Sequence, residues 1–97
     1  MTDYILLMHE DATSPVSDDA WGPYFEQLSA AGAFAGGSAI GGGEAVRKHL
    51  VPAAVTTQLG GYIRVTAQSL DAAKALVVGN PVYEAGGTVE VRHLPKD

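Results

Sequence analysis

The sequence contains no cysteine, which excludes a disulfide framework, a thiol nucleophile and a thiolate metal site. A reducing cytoplasm is the compartment this absence points to. No apolar run approaches the roughly 18 residues that a bilayer-crossing helix needs. The opening residues "MTDY" carry an acid where a secretory leader has lysine or arginine. No membrane association is expected. Positive charge is also scarce: residues 1–46 hold seven of the eleven acids and no lysine or arginine, and all six basic residues follow from Arg47 onward. Six scattered cations cannot form a dense phosphate-neutralising patch, so nucleic acid is not an expected partner.

The 97 residues suffice for a single domain, 1–97, with one thin core, and 46% apolar against 18% charged residues is the balance of a folding chain. Tyr4 to His9 is apolar throughout and too short for a helix of its own, so it reads as a central strand covered on both faces. Ser17-Asp18-Asp19 is helix-cap chemistry. Trp21, Tyr24, Phe25 and Leu28 then recur at three- and four-residue steps, an amphipathic helix beginning near Gly22, with Pro23 in its first turn, and ended by Gly32.

Phe34 to Ile40 is a weak, glycine-bearing strand. The nineteen residues "GGGEAVRKHLVPAAVTTQL" that follow are long for a structureless loop in so small a domain. They predict a β-ribbon turning around His49 to Pro52. Gly61 to Ala67, "GYIRVTA", alternates, with Ile63, Val65 and Ala67 facing one way and Tyr62, Arg64 and Thr66 the other. Ser69 caps a second helix with Leu70, Ala73, Leu76 and Val77 on its inner face, stopped by Gly79 and Pro81. Thr88 to Leu94 is a last strand, with Val89 and Val91 opposite to Glu90 and Arg92.

Strand, helix, strand, strand, helix, strand is the split βαβ order called ferredoxin-like: an α+β fold with an antiparallel sheet, here carrying the extra ribbon between strands 2 and 3. Two helices cover one face of four strands. The other face must suit water or find a partner. The first strand is expected between the third and fourth, parallel to the third and antiparallel to the fourth. His9 would then lie near Thr88 to Glu90 and near Arg64 to Thr66.

The segment "LGGYIRVTAQSLDAAKALVVGNPVYEAGGTVEVRHLP", with "MHED" on the first strand and "FEQLSAAGAFAGGSAI" after the first helix, resembles the YCII-related family and its DGPF-containing branch. The Asp-Gly-Pro-Phe signature is replaced by "PAAVTTQ". The resemblance implies a homodimer, a dimeric α/β barrel in which two sheets face each other across a two-fold axis. For some members a histidine on the first helix and an aspartate after the second are a proposed active-site pair. Trp21 and Asn80 stand at those positions. An indole and a carboxamide cannot exchange a proton near neutral pH, so a mechanism resting on that pair does not transfer.

His9 has three readings: a strand-end histidine held by a hydrogen bond, a ligand-contacting group, or a general base. Metal binding is not expected, because ligand clusters of diagnostic spacing are absent and His93 lies a strand length from His9. No cofactor is expected either: the glycines of "GGSAIGGG" lack the ending and context of a nucleotide loop. Arg64 and Arg92 sit on the helix-free face, either as an intersubunit ion-pair set with Glu90 or as anion-binding groups. Trp21 is packing or the mouth of a groove. The residues that line the expected ligand cleft are thus His9, Trp21, Tyr62, Arg64, Glu90 and Arg92, and the expected occupant is a small anionic molecule.

A small homodimeric binding or sensing module with an intersubunit cleft fits these features best. A small enzyme with His9 as general base is the second possibility. A regulatory or structural partner protein is the third, because members of the resembling family often accompany sigma-type regulators.

Overall fold

Alternation along the first strand decides which side of the sheet is the core. In the computed structural model, which describes residues 1–96 apart from Ala53, Thr56 and Thr57, β1 runs from Thr2–His9 and buries Tyr4, Leu6 and Met8. Ile5, Leu7 and His9 point the other way and stay half-buried. Burial on both faces, the sequence expectation for this strand, is therefore not reached within one chain.

The remaining strands are β2 (Phe34–Ala39), β3 (Leu59–Ala67) and β4 (Val89–Leu94). They form one sheet in the order β2-β3-β1-β4. Every pairing is antiparallel, including that of β1 with β3, which corrects the parallel arrangement expected for that pair. The reason is topological. The crossover through the first helix brings β2 parallel to β1 but one strand away, and β3 returns from β2 into the gap, antiparallel to both neighbours. Among the described residues the result is an α+β fold with a four-stranded antiparallel sheet and three helices, compatible with the ferredoxin-like order.

Helix α1 (Trp21–Ala30) follows a single 3₁₀ turn at Asp18–Ala20. Ser17 precedes that turn without a side-chain capping bond, so the expected cap is not made. The helix buries Tyr24 and Leu28 and ends at Gly32, whose φ of 67° is the left-handed conformation that favours glycine. The Ser69 hydroxyl caps α2 (Leu70–Ala75) by accepting from Ala72 N at 3.1 Å. Ala73 and Val77 are buried, but Leu70, expected beside them, is 50% exposed. Side chains lean toward the helix N-terminus, so a first-position leucine projects past the packed length.

α2 ends at Ala75 with Leu76 as its C-cap, earlier than the expected stop, and a turn then leads to Gly79 with φ 94°. Pro81 does not merely end the region. It opens a further short helix, α3 (Pro81–Glu84), as its first residue. Asn80 is fully buried and caps α3, its Oδ1 accepting from Val82 N (3.0 Å) and Tyr83 N (3.2 Å). The Tyr24 hydroxyl donates to Leu76 O at 2.7 Å and ties α1 to the end of α2. Burial pushes the Tyr24 phenol above its ordinary pKa, with the nearby Asn80 amide acting weakly in the other direction.

The ribbon expected between β2 and β3 is absent among the described residues, which are irregular there. Ala53, Thr56 and Thr57, which that ribbon would also have used, lie outside the described residues. Gly41, Gly42 and Gly43 offer no side chains to pair, and Val46 and Val51 are exposed. A two-stranded ribbon is marginal without a surface against which to bury a face. No helix among the described residues is long and apolar enough to cross a membrane.

Candidate functional site

The end of β1 is gripped from both sides. Met8 pairs with Gly61 and His9 with Leu59, so Gly60 is the extra residue of a bulge in β3. On the β4 side His9 N donates to Thr88 O at 2.9 Å. Asp11 then accepts from Thr88 twice, from N at 2.7 Å and from Oγ1 at 2.6 Å. Those two bonds hold the Asp11 carboxyl below its usual pKa.

His9 shares the helix-free face with Glu90, and its Nε2 lies 3.0 Å from Glu90 Oε1. The other carboxylate oxygen, Oε2, accepts from Arg92 Nη1 at 3.1 Å. The His9 bond, and after it the Arg92 bond, hold the Glu90 carboxyl below its ordinary value. His9 therefore reaches the β4 neighbours expected for it. It does not reach Arg64 to Thr66, because antiparallel pairing sets Arg64 opposite Ile5 and Thr66 opposite Asp3.

Arg92 also pairs with Ile5, from the other side. The two arginines thus flank one β1 residue, with backbones about 10 Å apart at two strand spacings. Glu90 neutralises Arg92 and not Arg64, which is exposed and makes no ion pair among the described residues. His93 pairs with Tyr4, five residues before His9, or roughly 16 Å along β1. Among the described residues no three metal-ligating side chains cluster.

A cavity of about 660 Å³ opens beside this strand end, within the range of small-molecule sites. It lies mainly on the helix side of the sheet. Met8, Val16, Trp21, Phe25, Ile63 and Val82 supply its apolar wall. Trp21 stacks on Phe25 with ring centroids 5.7 Å apart and planes at 26°, and Phe25 meets Phe34 at 5.4 Å. Gly37, Gly60 and Gly61 contribute main chain without side chains, and His9 and Glu10 stand among the polar lining.

The six residues predicted for one cleft therefore divide. His9, Trp21 and Tyr62 line the cavity, whereas Arg64, Glu90 and Arg92 do not. Tyr62 alternates toward the helix-free face, so the cavity meets it chiefly through its main chain. Asn80 is absent from the lining and serves α3. Sequence reasoning missed Phe25 as a site residue, and Glu10 also lines the cavity. The four-residue step from Trp21 to Phe25 and the Gly60-Gly61 pair on the strand beside "MHE" were the available signals. No family model matches the chain, and no curated protein matches it.

Proposed function

We propose that the chain is a small-molecule binding or sensing module, related to the YCII family and working as a homodimer in a reducing cytoplasm. The observation that carries this reading is the apolar cavity of about 660 Å³ where β1 ends, walled by stacked Trp21 and Phe25. Dimerisation is supported by the helix-free face, where Ile5 stays half-buried between Arg64 and Arg92 and Leu7 between Tyr62 and Glu90. A second sheet laid on that face would complete their burial.

Native mass spectrometry of gently purified protein, followed by ligand titration monitored through Trp21, tests the binding reading. A copurifying small molecule, or saturable quenching, is the expected result. Protein that carries nothing and responds to no apolar compound would remove it. Light scattering at micromolar concentration should give twice the chain mass.

Two further readings each have one supporting contact. Arg64, with no carboxylate partner among the described residues, suits a small anionic molecule on the helix-free face. His9, oriented by Glu90 at 3.0 Å, suits a general base on the helix-free face. The anion reading predicts that Arg64→Gln abolishes carboxylate binding while the dimer persists.

A further inference from the structure

The chemistry of the cavity lining specifies a ligand class. Three features converge. The wall contributed by α1 is aromatic, Trp21 stacked on Phe25 with Phe34 behind it. The sheet side, at Gly37, Gly60 and Gly61, is bare main chain. An added Cβ at Gly37 would lie 2.6 Å from Tyr62 O, which excludes a larger residue there, and one at Gly61 would crowd Ser38 O at 3.1 Å, so the surface stays flat. Flat rings favour such a space between aromatic and peptide surfaces.

The third feature is charge. Among the described residues no lysine or arginine lines the cavity, and the one carboxylate that does is Glu10. Its side chain lies over the bulge, where a Cβ at Gly60 would come within 3.0 Å of Glu10 Cγ and 3.2 Å of Oε1. The neighbouring carboxylates are engaged, Asp11 by Thr88 and Glu90 by His9 and Arg92. Glu10 makes no side-chain hydrogen bond and no ion pair among the described residues. An anion would meet repulsion at this rim, and an ammonium group would meet a ready acceptor.

We propose that the cavity binds an arylalkylamine, its flat ring against Trp21 and Phe25 and its ammonium group at the Glu10 carboxylate. This deepens the binding reading above and depends on it. It is separate from any anion on the helix-free face.

The test uses three probes of matched shape: phenylethylamine, phenylethanol and phenylpropionate. Binding is read by calorimetry and by emission of Trp21, the only tryptophan, excited at the red edge of its band. The amine should bind several-fold, at most about tenfold, tighter than the carboxylate, because Glu10 is exposed and its attraction for the one and repulsion of the other are screened by water. Glu10→Gln should erase that preference while the alcohol binds as before. Ala39→Leu, which adds bulk from an exposed lining position, should abolish binding of all three. Equal or reversed preference, or a preference that survives Glu10→Gln, would overturn the amine proposal and leave the cavity as a binding site. Binding undiminished by Ala39→Leu would show that the probes bind elsewhere and overturn it as well. Failure of every probe to bind at millimolar concentration would remove both the amine and the cavity.

Discussion

Leu28 and Leu70 each occupy an expected inner helix face, yet the fold treats them oppositely. Leu28 on α1 is 0% exposed and packs in the main core, whereas Leu70 opens α2 at 50% exposed. Truncating a fully buried leucine to alanine loses its transfer free energy and leaves a cavity, together about 2–5 kcal/mol. Leu28 is enclosed between helix and sheet in a thin core that cannot collapse far, so about 3–4 kcal/mol is expected. At Leu70 water fills the space, no cavity forms, and only part of a side-chain burial worth about 1.5–3 kcal/mol is at stake. The loss there should stay below about 1.5 kcal/mol. Against a total stability of about 5–15 kcal/mol, Leu28→Ala removes a large share. At roughly 4–8 °C per kcal/mol for a domain of this size, Tm should fall by about 12 °C or more. Urea denaturation followed by circular dichroism measures both variants, with an unchanged m-value as the control. Equal losses at the two positions, or a loss below about 1 kcal/mol at Leu28, would refute this placement of the helices.

Tyr24→Phe removes the hydroxyl bonded to Leu76 O at 2.7 Å and leaves that carbonyl without its partner. The cost should be about 1–2 kcal/mol in the same denaturation measurement, and no change would show that the α1–α2 tie contributes nothing. Asp11 and Glu90 both have folded-state pKa values below their ordinary ones. Their contribution is therefore present above the unfolded carboxylate range, near pH 4, and is lost as pH falls through the lower folded values. The melting temperature of the parent should drop more steeply below about pH 4.5 than that of the Asp11→Asn/Glu90→Gln double variant. Parallel curves would contradict the assigned bonds.

Side-chain alternation alone carried much of the fold. The Ile63, Val65 and Ala67 face of β3, its opposite face with Tyr62 and Arg64, the central place of β1 and the partner region of His9 on β4 all follow from a two-residue period and chain order. The glycine that ends α1 was equally legible, because left-handed φ at Gly32 is a local steric matter. α3 was less so. A proline reads as a stop, and only the buried Asn80 cap shows that it also starts a helix.

What the tertiary structure alone decided depends on relations between elements. Strand direction is one: residue period assigns a face but not the sense of pairing, and antiparallel β1–β3 pairing moved Arg64 from the end of the sheet to its middle, opposite Ile5. The partition of charge is another, since Glu90 takes His9 and Arg92 and leaves Arg64 without a carboxylate. The cavity is the third. Local sequence determines the aromatic step on α1 and the glycines of β2 and β3, but the space between them exists only where the helix is held off the sheet. Short-range sterics and solvent preference act within a few residues and can be read along the chain, whereas volume and electrostatic pairing arise from segments far apart in sequence and take their values only when those segments meet.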